Sequence, residues 1–260
     1  MSDSRSESAD WWATAIVEIL PGVIRFRGYP VEELIGNVGL VDMISLLVLG
    51  ELPSAPRRRL LEAALVASVD HGPQSPSIAS ARMAATTGVG ISNAIANGVN
   101  VLGDVHGGAG QQAMELYLTI DDGIPVEEAV AAFGPFAPGF GHRFHPVDPR
   151  VEPLLAMVEQ AAAEGAVDGR FVDIARSVED AIARPDRRIP MNIDGVTAVV
   201  FCELGVAPPL GRGLFVLSRA VGILAHAWEE TEAGSRLKGP IPSSVLPTYT
   251  GHALRHLEDR

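Results

Sequence analysis

The sequence predicts an all-α protein, and this prediction rests on the spacing and the types of its residues. Apolar residues recur at three- and four-residue steps along much of the chain, which is the period of an amphipathic helix. Period-two alternation is scarce, and the aromatic residues that favour strands make up only 5% of the sequence. Alanine and glycine are abundant, which fits closely packed helices.

Three segments show the helical period most clearly. In residues 56–69, apolar or small side chains fall on one face, at Leu60, Leu61, Ala64, Leu65 and Ser68. A second segment, which ends before Gly165, carries apolar residues at the same spacing, at Leu154, Leu155, Val158 and Ala161. The third set is Leu214, Leu217, Val221, Leu224 and Trp228. We predict an amphipathic helix in each segment.

Size and charge narrow the class of protein. A chain of 260 residues can form one or two domains with a substantial core. The formal net charge of −12 argues against a nucleic-acid partner, because such a partner requires a basic face. An anionic substrate would therefore be bound by local arginines and helix N-termini.

Cysteine usage and the N-terminal sequence indicate the compartment. Cys202 is the only cysteine, and it lies in the apolar run VTAVVFCEL, so we interpret it as a core residue in a reducing environment. The N-terminus MSDSRSESAD is polar and acidic, unlike a secretion signal, and no stretch of eighteen uninterrupted apolar residues occurs. We therefore predict a cytoplasmic protein with no membrane partner.

The segment PGFGHRFHPVDPR, residues 138–150, carries the strongest sign of a ligand site. Its glycines let the backbone approach a ligand, and His142 can donate, accept or carry a proton near neutral pH. Arg143 and Arg150 add planar guanidinium groups that match carboxylate or phosphate oxygens. An anion site and an ordinary exposed loop explain this segment alone about equally well.

Three further segments place polar residues in unusual surroundings. His106 precedes two glycines in LGDVHGGAGQQ, Asp194 lies in PMNIDGV, and His71 follows an amphipathic run. Each of them alone has an ordinary structural explanation: a turn for His106, a helix cap for Asp194 and a helix C-terminus for His71. Arg219 interrupts the apolar helix FVLSRAVGIL, where an unpaired charge would cost several kcal/mol.

The order of these motifs resembles the citrate synthase superfamily over nearly the whole chain. The likeness comprises RFRGYPVEELIG, LGELP, DHGPQSPS, GDVHGGAG, PGFGHRFHPVDPR, NIDG and FVLSRAVGILAH. Synthases usually carry a long helical block after the LGELP-like turn, whereas here only sixteen residues separate Pro53 from Asp70. This short spacing, DHGP, NIDG and the ending LKGPIPSSVLPTYTG look most like the citryl-CoA lyase module of ATP citrate lyase.

The resemblance implies a citrate synthase-like, two-domain helical fold. A large helical domain would comprise residues 1–107 and 213–260, and a smaller helical domain residues 108–212. The active site would lie in the cleft between them.

The resemblance also implies roles for the polar residues. Asp194 matches the carboxylate that exchanges the methyl proton of the thioester, and His106 the donor that holds the enol oxygen. His142 matches the group that moves a proton at the oxygen of the 2-oxo acid or of the citryl hydroxyl. His71, Arg150 and Arg219 match residues that bind the oxo acid.

Coenzyme A would lie along Pro138, Gly139, Phe140 and Gly141, with Arg143 and Lys238 near its phosphates. The coenzyme A thioester is a substrate, so we expect no tightly bound cofactor and no metal. His252 and His256 have metal-ligand spacing, but we interpret them as tail residues.

Two departures from the resembling families leave alternatives open. Synthases usually carry an arginine where Ser244 stands, so one carboxylate contact is absent or is supplied by Arg236. Conversely, the lyase module of ATP citrate lyase does not keep the histidine that His106 matches. The main hypothesis is a citryl-CoA lyase-like enzyme. The alternatives are citrate synthase or a related 2-oxo acid acyltransferase, and a non-catalytic protein that binds coenzyme A or a partner subunit.

The likeness to proteins that pair through large-domain helices further predicts a homodimer or a higher homo-oligomer. Apolar segments such as VDMISLLVLG would need to be covered.

Overall fold

The computed structural model describes residues 10–134, 136–184 and 188–259, and α-helices dominate it. The helices, numbered here along the chain, are α1 (Val31–Leu34), α2 (Leu40–Ile44), α3 (Ala55–Ser68), α4 (Pro76–Ala85), α5 (Ile91–Asn100), α6 (Ala109–Asp121), α7 (Val126–Ala132), α8 (Val151–Ala163), α9 (Arg170–Ala181), α10 (Ile193–Glu203) and α11 (Pro208–Glu232). A π-helical turn, Ser45–Leu49, extends α2, and a short 3-10 helix spans Leu257–Asp259. The predicted all-α class is confirmed.

A small antiparallel sheet near the N-terminus was not part of the prediction. Strands β1 (Val17–Leu20) and β2 (Val23–Phe26) form a hairpin, and β3 (Tyr29–Pro30) pairs with the other edge of β2. The β-branched residues of VEIL and VIRF flank a Pro-Gly turn in which Gly22 has φ +77°. Strands of at most four residues give too short a signal to be recognised in a sequence whose other segments show the helical period.

The described residues form two compact units. Unit 1 comprises the described residues up to Asp70 together with Leu102–Val221, and unit 2 comprises His71–Val101 and the described residues from Gly222 onward. This division differs from the predicted large and small domains, whose boundaries stay a prediction. In the sequence, prolines at 125, 135 and 138, and again at 208 and 209, are expected to mark the crossings between those domains, and Pro135 lies outside the described residues.

Helix α10 lies at the centre of unit 1 and packs against α3, α6, α8 and α9. Its sequence is apolar around nearly the whole circumference, and every residue from Gly195 to Glu203 is buried. A helix without a polar face is stable only when neighbours cover all of its sides. Asp194, in its first turn, is thus attached to a helix that is buried along nearly its whole length.

The three predicted amphipathic helices all exist, but one of them buries a different face. Helices α3 and α8 bury the predicted stripes, apart from the half-buried Leu65. In α11 only Leu214 of the predicted set is buried, and the other four are exposed in this chain. The buried face of α11 instead carries polar residues, among them Ser218, Arg219 and Glu230.

One helix among the described residues, α11, is long and apolar enough to cross a membrane by length and composition alone. A core helix of a soluble protein passes the same test, so this is weak evidence for a membrane span.

Candidate functional site

Asp194 lies in the first turn of α10, but it is not the residue that caps this helix. The cap is Asn192, whose side-chain oxygen accepts hydrogen bonds from the backbone N–H groups of Asp194 (2.9 Å) and Gly195 (3.3 Å). The capping interpretation of Asp194 is therefore wrong, because Asn192 already satisfies these donors. The half-buried carboxylate of Asp194 is left for another role.

The PGFGH loop packs directly on the N-terminal turn of α10. Gly139 has φ +86°, and a Cβ atom there would lie only 2.7 Å from the Cα atom of Gly195. The backbone N–H of Asn192 donates to the carbonyl oxygen of Gly139 (2.9 Å), and the N–H of Gly141 donates to that of Pro190 (2.7 Å). Glycine is needed at 139 for both its conformation and its lack of a side chain. The loop that carries His142 and the helix that carries Asp194 are thereby held in fixed register.

Two backbone hydrogen bonds fix the protonation of His142. Its Nδ1 atom accepts from the N–H groups of Phe144 and His145, both at 3.0 Å. Backbone nitrogen can only donate, so Nδ1 is unprotonated, and a neutral ring carries its proton on Nε2. Burial lowers the pKa of His142, and the neighbouring His145 lowers it further. We conclude that His142 is a neutral imidazole whose Nε2–H is the donor.

Asp148 binds Arg150 within the same segment, and sequence analysis did not identify it. Its buried carboxylate accepts from Nε (2.9 Å) and Nη2 (2.8 Å) of Arg150, and from the backbone N–H groups of Arg150 (3.1 Å) and Ile193 (3.0 Å). Burial opposes ionisation, but these hydrogen bonds outweigh it and lower the pKa of Asp148 to about 2. The spacing Asp-Pro-Arg was a signal that could have revealed the pair.

The C-terminal end of α3 binds two of the predicted arginines. The carbonyl oxygen of Ala67 accepts from Nη1 of Arg150 (3.3 Å), and that of Ser68 accepts from Nε of Arg219 (3.2 Å). The last carbonyls of a helix lack partners within the helix and carry its negative dipole, so they suit guanidinium groups. Two cations that would repel each other are thus held on consecutive residues of one helix end.

Arg219 is buried, with 4% of its surface exposed, and its guanidinium lies 4.9 Å from the centre of the Phe215 ring. Burial lowers the pKa of Arg219, whereas the charges of Asp194 and Asp70 oppose this. Burial also raises the pKa of Asp194, and the charges of Arg219 and Arg150 oppose that rise. Asp194 is therefore a carboxylate that binds a proton more readily than usual beside two arginines.

His106 lies in a tight turn that leads into α6. A Cβ atom at Gly108 would lie 2.7 Å from the Cα atom of Asp104, so only glycine fits there. In the first turn of α6, a Cβ atom at Gly110 would lie 3.8 Å from Oδ1 of Asp194, which places this helix start against that carboxylate. Burial, and then the charge of Arg219, lower the pKa of His106. Burial and Arg219 thus both favour the neutral imidazole of His106, and the same arginine acts on Asp194.

Open cavities adjoin the PGFGH loop. One has a volume of about 490 Å³ and is lined by Phe136, Phe140, Gly141, His142, Arg143, Arg184 and Ile189. A second, of about 380 Å³, adjoins His142 and includes Arg143 and Arg188. Arg143 was predicted as a phosphate ligand, whereas Arg184 and Arg188 were not. Three arginines beside a glycine loop form a surface that suits an anionic ligand.

Two of the predicted residues, His71 and Lys238, belong to unit 2. The ammonium of Lys238 donates to both carboxylate oxygens of Glu230, at 2.9 and 2.7 Å. This structural partner offers an alternative to the predicted phosphate contact. Among the described residues, no group of three or more His, Cys, Asp or Glu side chains could hold a metal ion.

Comparisons with known proteins agree with this fold. A solved citryl-CoA lyase from Hydrogenobacter thermophilus superposes with a TM-score of 0.84 at 30% sequence identity, and the match covers 95% of this chain and 97% of that one. An ATP citrate lyase from Methanosaeta concilii, solved in complex with (3S)-citryl-CoA, matches 98% of this chain with a TM-score of 0.78. At 19% identity and 45% coverage of that chain, the second match shows the fold alone.

Sequence comparison gives the same family. A citrate synthase from Haloferax volcanii is 30% identical over 189 residues, which are 70% of this chain and 49% of that protein. The chain thus spans about half the length of the curated relatives it matches. Residues 56–240 match the family described as "Citrate synthase, C-terminal domain". The chain belongs to the citrate synthase family.

Proposed function

We propose that this protein is a citryl-CoA lyase-like enzyme that cleaves citryl-CoA to acetyl-CoA and oxaloacetate, or catalyses the reverse condensation. The observation that carries the proposal is the arrangement around the N-terminus of α10. A carboxylate with a raised pKa lies beside two arginines, with neutral histidines on the adjoining segments. The match to a citryl-CoA lyase along nearly the full length of both chains supports this choice within the family.

The reaction requires an acid–base group at carbon. Cleavage of citryl-CoA breaks a carbon–carbon bond and leaves an enol or enolate of acetyl-CoA, whose carbon must then receive a proton. Asp194 is proposed to deliver that proton, and burial favours the protonated form that delivery requires. In the reverse direction the ionised Asp194 removes the methyl proton.

A thioester enolate also requires a donor at oxygen. His106 is proposed to hold the enol oxygen, because the N–H of a neutral imidazole can donate a hydrogen bond to it. His142 is proposed to act at the other oxygen. In condensation its Nε2–H proton passes to the carbonyl oxygen of oxaloacetate as the new carbon–carbon bond forms, and the imidazolate that remains regains a proton from water. Cleavage runs the same transfers in reverse: Nε2 first releases its proton to water and then accepts the proton of the citryl hydroxyl. The two N–H groups at Nδ1 stabilise the ring in that deprotonated state.

The arginines are proposed to bind the carboxylates of the oxo acid. Arg150 and Arg219 are held by adjacent carbonyls of α3, so their charges are close together before any ligand arrives. We propose that His71 contributes to the same binding. Coenzyme A is proposed as a substrate that lies along the PGFGH loop, with its phosphates near Arg143, Arg184 and Arg188.

Citrate synthase is the second candidate, because curated relatives that the chain matches are citrate synthases. The two activities differ in whether citryl-CoA is released intact or hydrolysed. We would supply citryl-CoA and, separately, acetyl-CoA with oxaloacetate, and follow free thiol and oxaloacetate independently. Oxaloacetate without free thiol supports the lyase, and free thiol with citrate supports the synthase. Stabilisation by coenzyme A without turnover would indicate a non-catalytic binding protein.

We further propose a homo-oligomer, at least a dimer. The segment VDMISLLVLG, which prompted this prediction, is largely covered within unit 1, with only Val48 exposed. Support comes instead from α11, which exposes Leu217, Val221, Leu224 and Trp228 at helical spacing. Sedimentation that shows a stable monomer at micromolar concentration would contradict the proposal. A cytoplasmic location likewise stays a prediction.

A further inference from the structure

We propose that Asp148 is a positioning residue that holds two groups of the active site at once: the guanidinium of Arg150 and the helix turn that carries Asp194. The inference rests on the proposed function, because it assigns Arg150 to oxo-acid binding and Asp194 to proton transfer. It adds a residue that touches no substrate, and through which these two groups are coupled.

The first group is Arg150. Asp148 accepts from Nε and Nη2, which together form the side edge of the guanidinium, and Nη1 donates to the carbonyl of Ala67. A guanidinium has five N–H donors. The contacts described leave one N–H on each terminal nitrogen for a ligand. A side chain held by its Nε edge can present only the opposite edge, so Asp148 determines the direction in which Arg150 binds a carboxylate.

The second group is the first turn of α10. Oδ2 of Asp148 accepts from the backbone N–H of Ile193 at 3.0 Å, and the same oxygen accepts from Nη2 of Arg150 at 2.8 Å. Ile193 directly precedes Asp194. One carboxylate oxygen therefore joins the arginine to the helix turn, and any displacement of Asp148 moves both.

Helix capping does not explain this contact. Asn192 already supplies the cap of α10 through its own side chain. The bond from Ile193 to Asp148 is additional, and it joins the helix to the 138–150 segment. An ordinary surface ion pair does not explain it either, because the side chain of Asp148 is fully buried. The geometry fits a group that aligns its neighbours, and misalignment near 1 Å can reduce turnover about a hundredfold.

The principal test is Asp148→Asn, which keeps the shape but places an amide NH₂ against the donors of Arg150 or Ile193. We would measure the KM for oxaloacetate in condensation and, without oxo acid, the rate of deuterium exchange into the methyl group of acetyl-CoA. We expect KM to rise and exchange to fall, each by about tenfold or more. The matched control is Asp168→Asn, because exposed Asp168 pairs with Arg170 at the same two-residue spacing. Both parameters should stay within about twofold of wild type in this control.

Two further variants separate the two contacts and serve equally if Asp148→Asn does not fold. Arg150→Gln should raise KM while exchange continues, because the bond from Ile193 to Asp148 remains. Ile193→Pro removes the N–H at a helix position that favours proline, after a residue that is already extended. Because it also replaces a buried side chain, Ile193→Ala, which keeps the N–H, serves as its control. We expect Ile193→Pro to slow exchange while KM changes little.

The outcomes distinguish the inference from the function on which it depends. A purely structural Asp148 would lower the melting temperature and leave KM and exchange near wild type below that temperature, which would overturn the inference alone. Wild-type exchange in Ile193→Pro would overturn the second contact. A wild-type protein that neither exchanges methyl protons nor cleaves citryl-CoA would overturn the proposed function, and the inference with it.

Discussion

Two buried carboxylates, Asp148 in unit 1 and Glu230 in unit 2, are alike in charge state but differ in their surroundings. Hydrogen bonds from cations outweigh burial and hold the pKa of each at about 2. Glu230 is bound by Arg82 and Lys238, with distances of 2.7–2.9 Å. The carboxylate beside Asp148, that of Asp194, has its pKa raised instead.

The difference shows how an active site can be distinguished from a structural ion-pair cluster. Near Glu230 the described cations and carboxylates neutralise one another. Around Asp148, the pKa of Asp194 is raised, whereas the pKa values of His142 and Arg219 are lowered. Such opposite shifts are typical of paired acid and base roles. A strongly lowered carboxylate pKa alone therefore does not identify a functional site.

The largest expected effect is that of Asp194→Asn. Since Asn192 caps the helix, loss of the carboxylate should leave the fold intact while turnover of citryl-CoA falls by about a hundredfold or more. Deuterium exchange into acetyl-CoA should fall in parallel, with an unchanged melting temperature. Near-normal turnover in a normally folded variant would remove Asp194 from the mechanism.

Glu230→Gln should lower stability and leave turnover unchanged, which is the opposite of the result expected for Asp194→Asn. The variant leaves Arg82 and Lys238 without their shared anion, and because both are partly exposed, we expect a loss of only about 2 kcal/mol in the free energy of unfolding. Denaturant unfolding would measure this loss, and kcat at a temperature where the variant is folded should match wild type. A large fall in kcat without destabilisation would show that the two clusters are functionally alike.

Acid unfolding tests both carboxylates. Their pKa values are lowered in the folded protein, so their stabilisation is fully present above the unfolded values near 4 and is lost as the pH falls toward about 2. The slope of unfolding free energy against pH should therefore be steep between about pH 4 and 2 for wild type, and shallower for Glu230→Gln. Equal slopes would contradict the assigned ionisation of Glu230.

The smallest effect is expected for Lys238→Met. If Lys238 serves mainly Glu230, the variant should lower stability by about 1 kcal/mol and leave the KM for acetyl-CoA within about twofold. If Lys238 binds a phosphate of coenzyme A, as the resemblance implies, this KM should rise several-fold while Arg143→Met behaves similarly. Initial-rate kinetics on the two variants would decide between these roles.

Periodicity predicted the helices well, and it failed where polar groups are buried. The stripes of α3 and α8 are confirmed because only apolar packing decides which face is covered. In α11 the same reasoning selected Leu217 and Trp228, yet the buried face carries Arg219 and Glu230. A hydrophobic pattern cannot identify a face that is buried for the sake of a site or an ion-pair cluster.

The candidate site could be predicted only in part for a related reason. Sequence motifs identified Asp194, His106, His142 and Arg150, because their neighbours are unusual. Asp148 escaped because its role depends on Ile193, which lies 45 residues away and is brought close only by the fold. The capping role of Asn192 rather than Asp194 likewise depends on where the helix begins, which sequence fixes only within a few residues.

The burial of Cys202 has a practical consequence for enzymology. It is the only sulfhydryl in the polypeptide, and its burial raises its pKa to about 12. Only the thiolate reacts with aromatic disulfide reagents, and at neutral pH this side chain is almost wholly in the unreactive thiol form. In a colorimetric assay of the folded protein, the yellow product would therefore report coenzyme A alone. A stoichiometric background of one equivalent would appear only when the core opens, so the same reagent would also report unfolding.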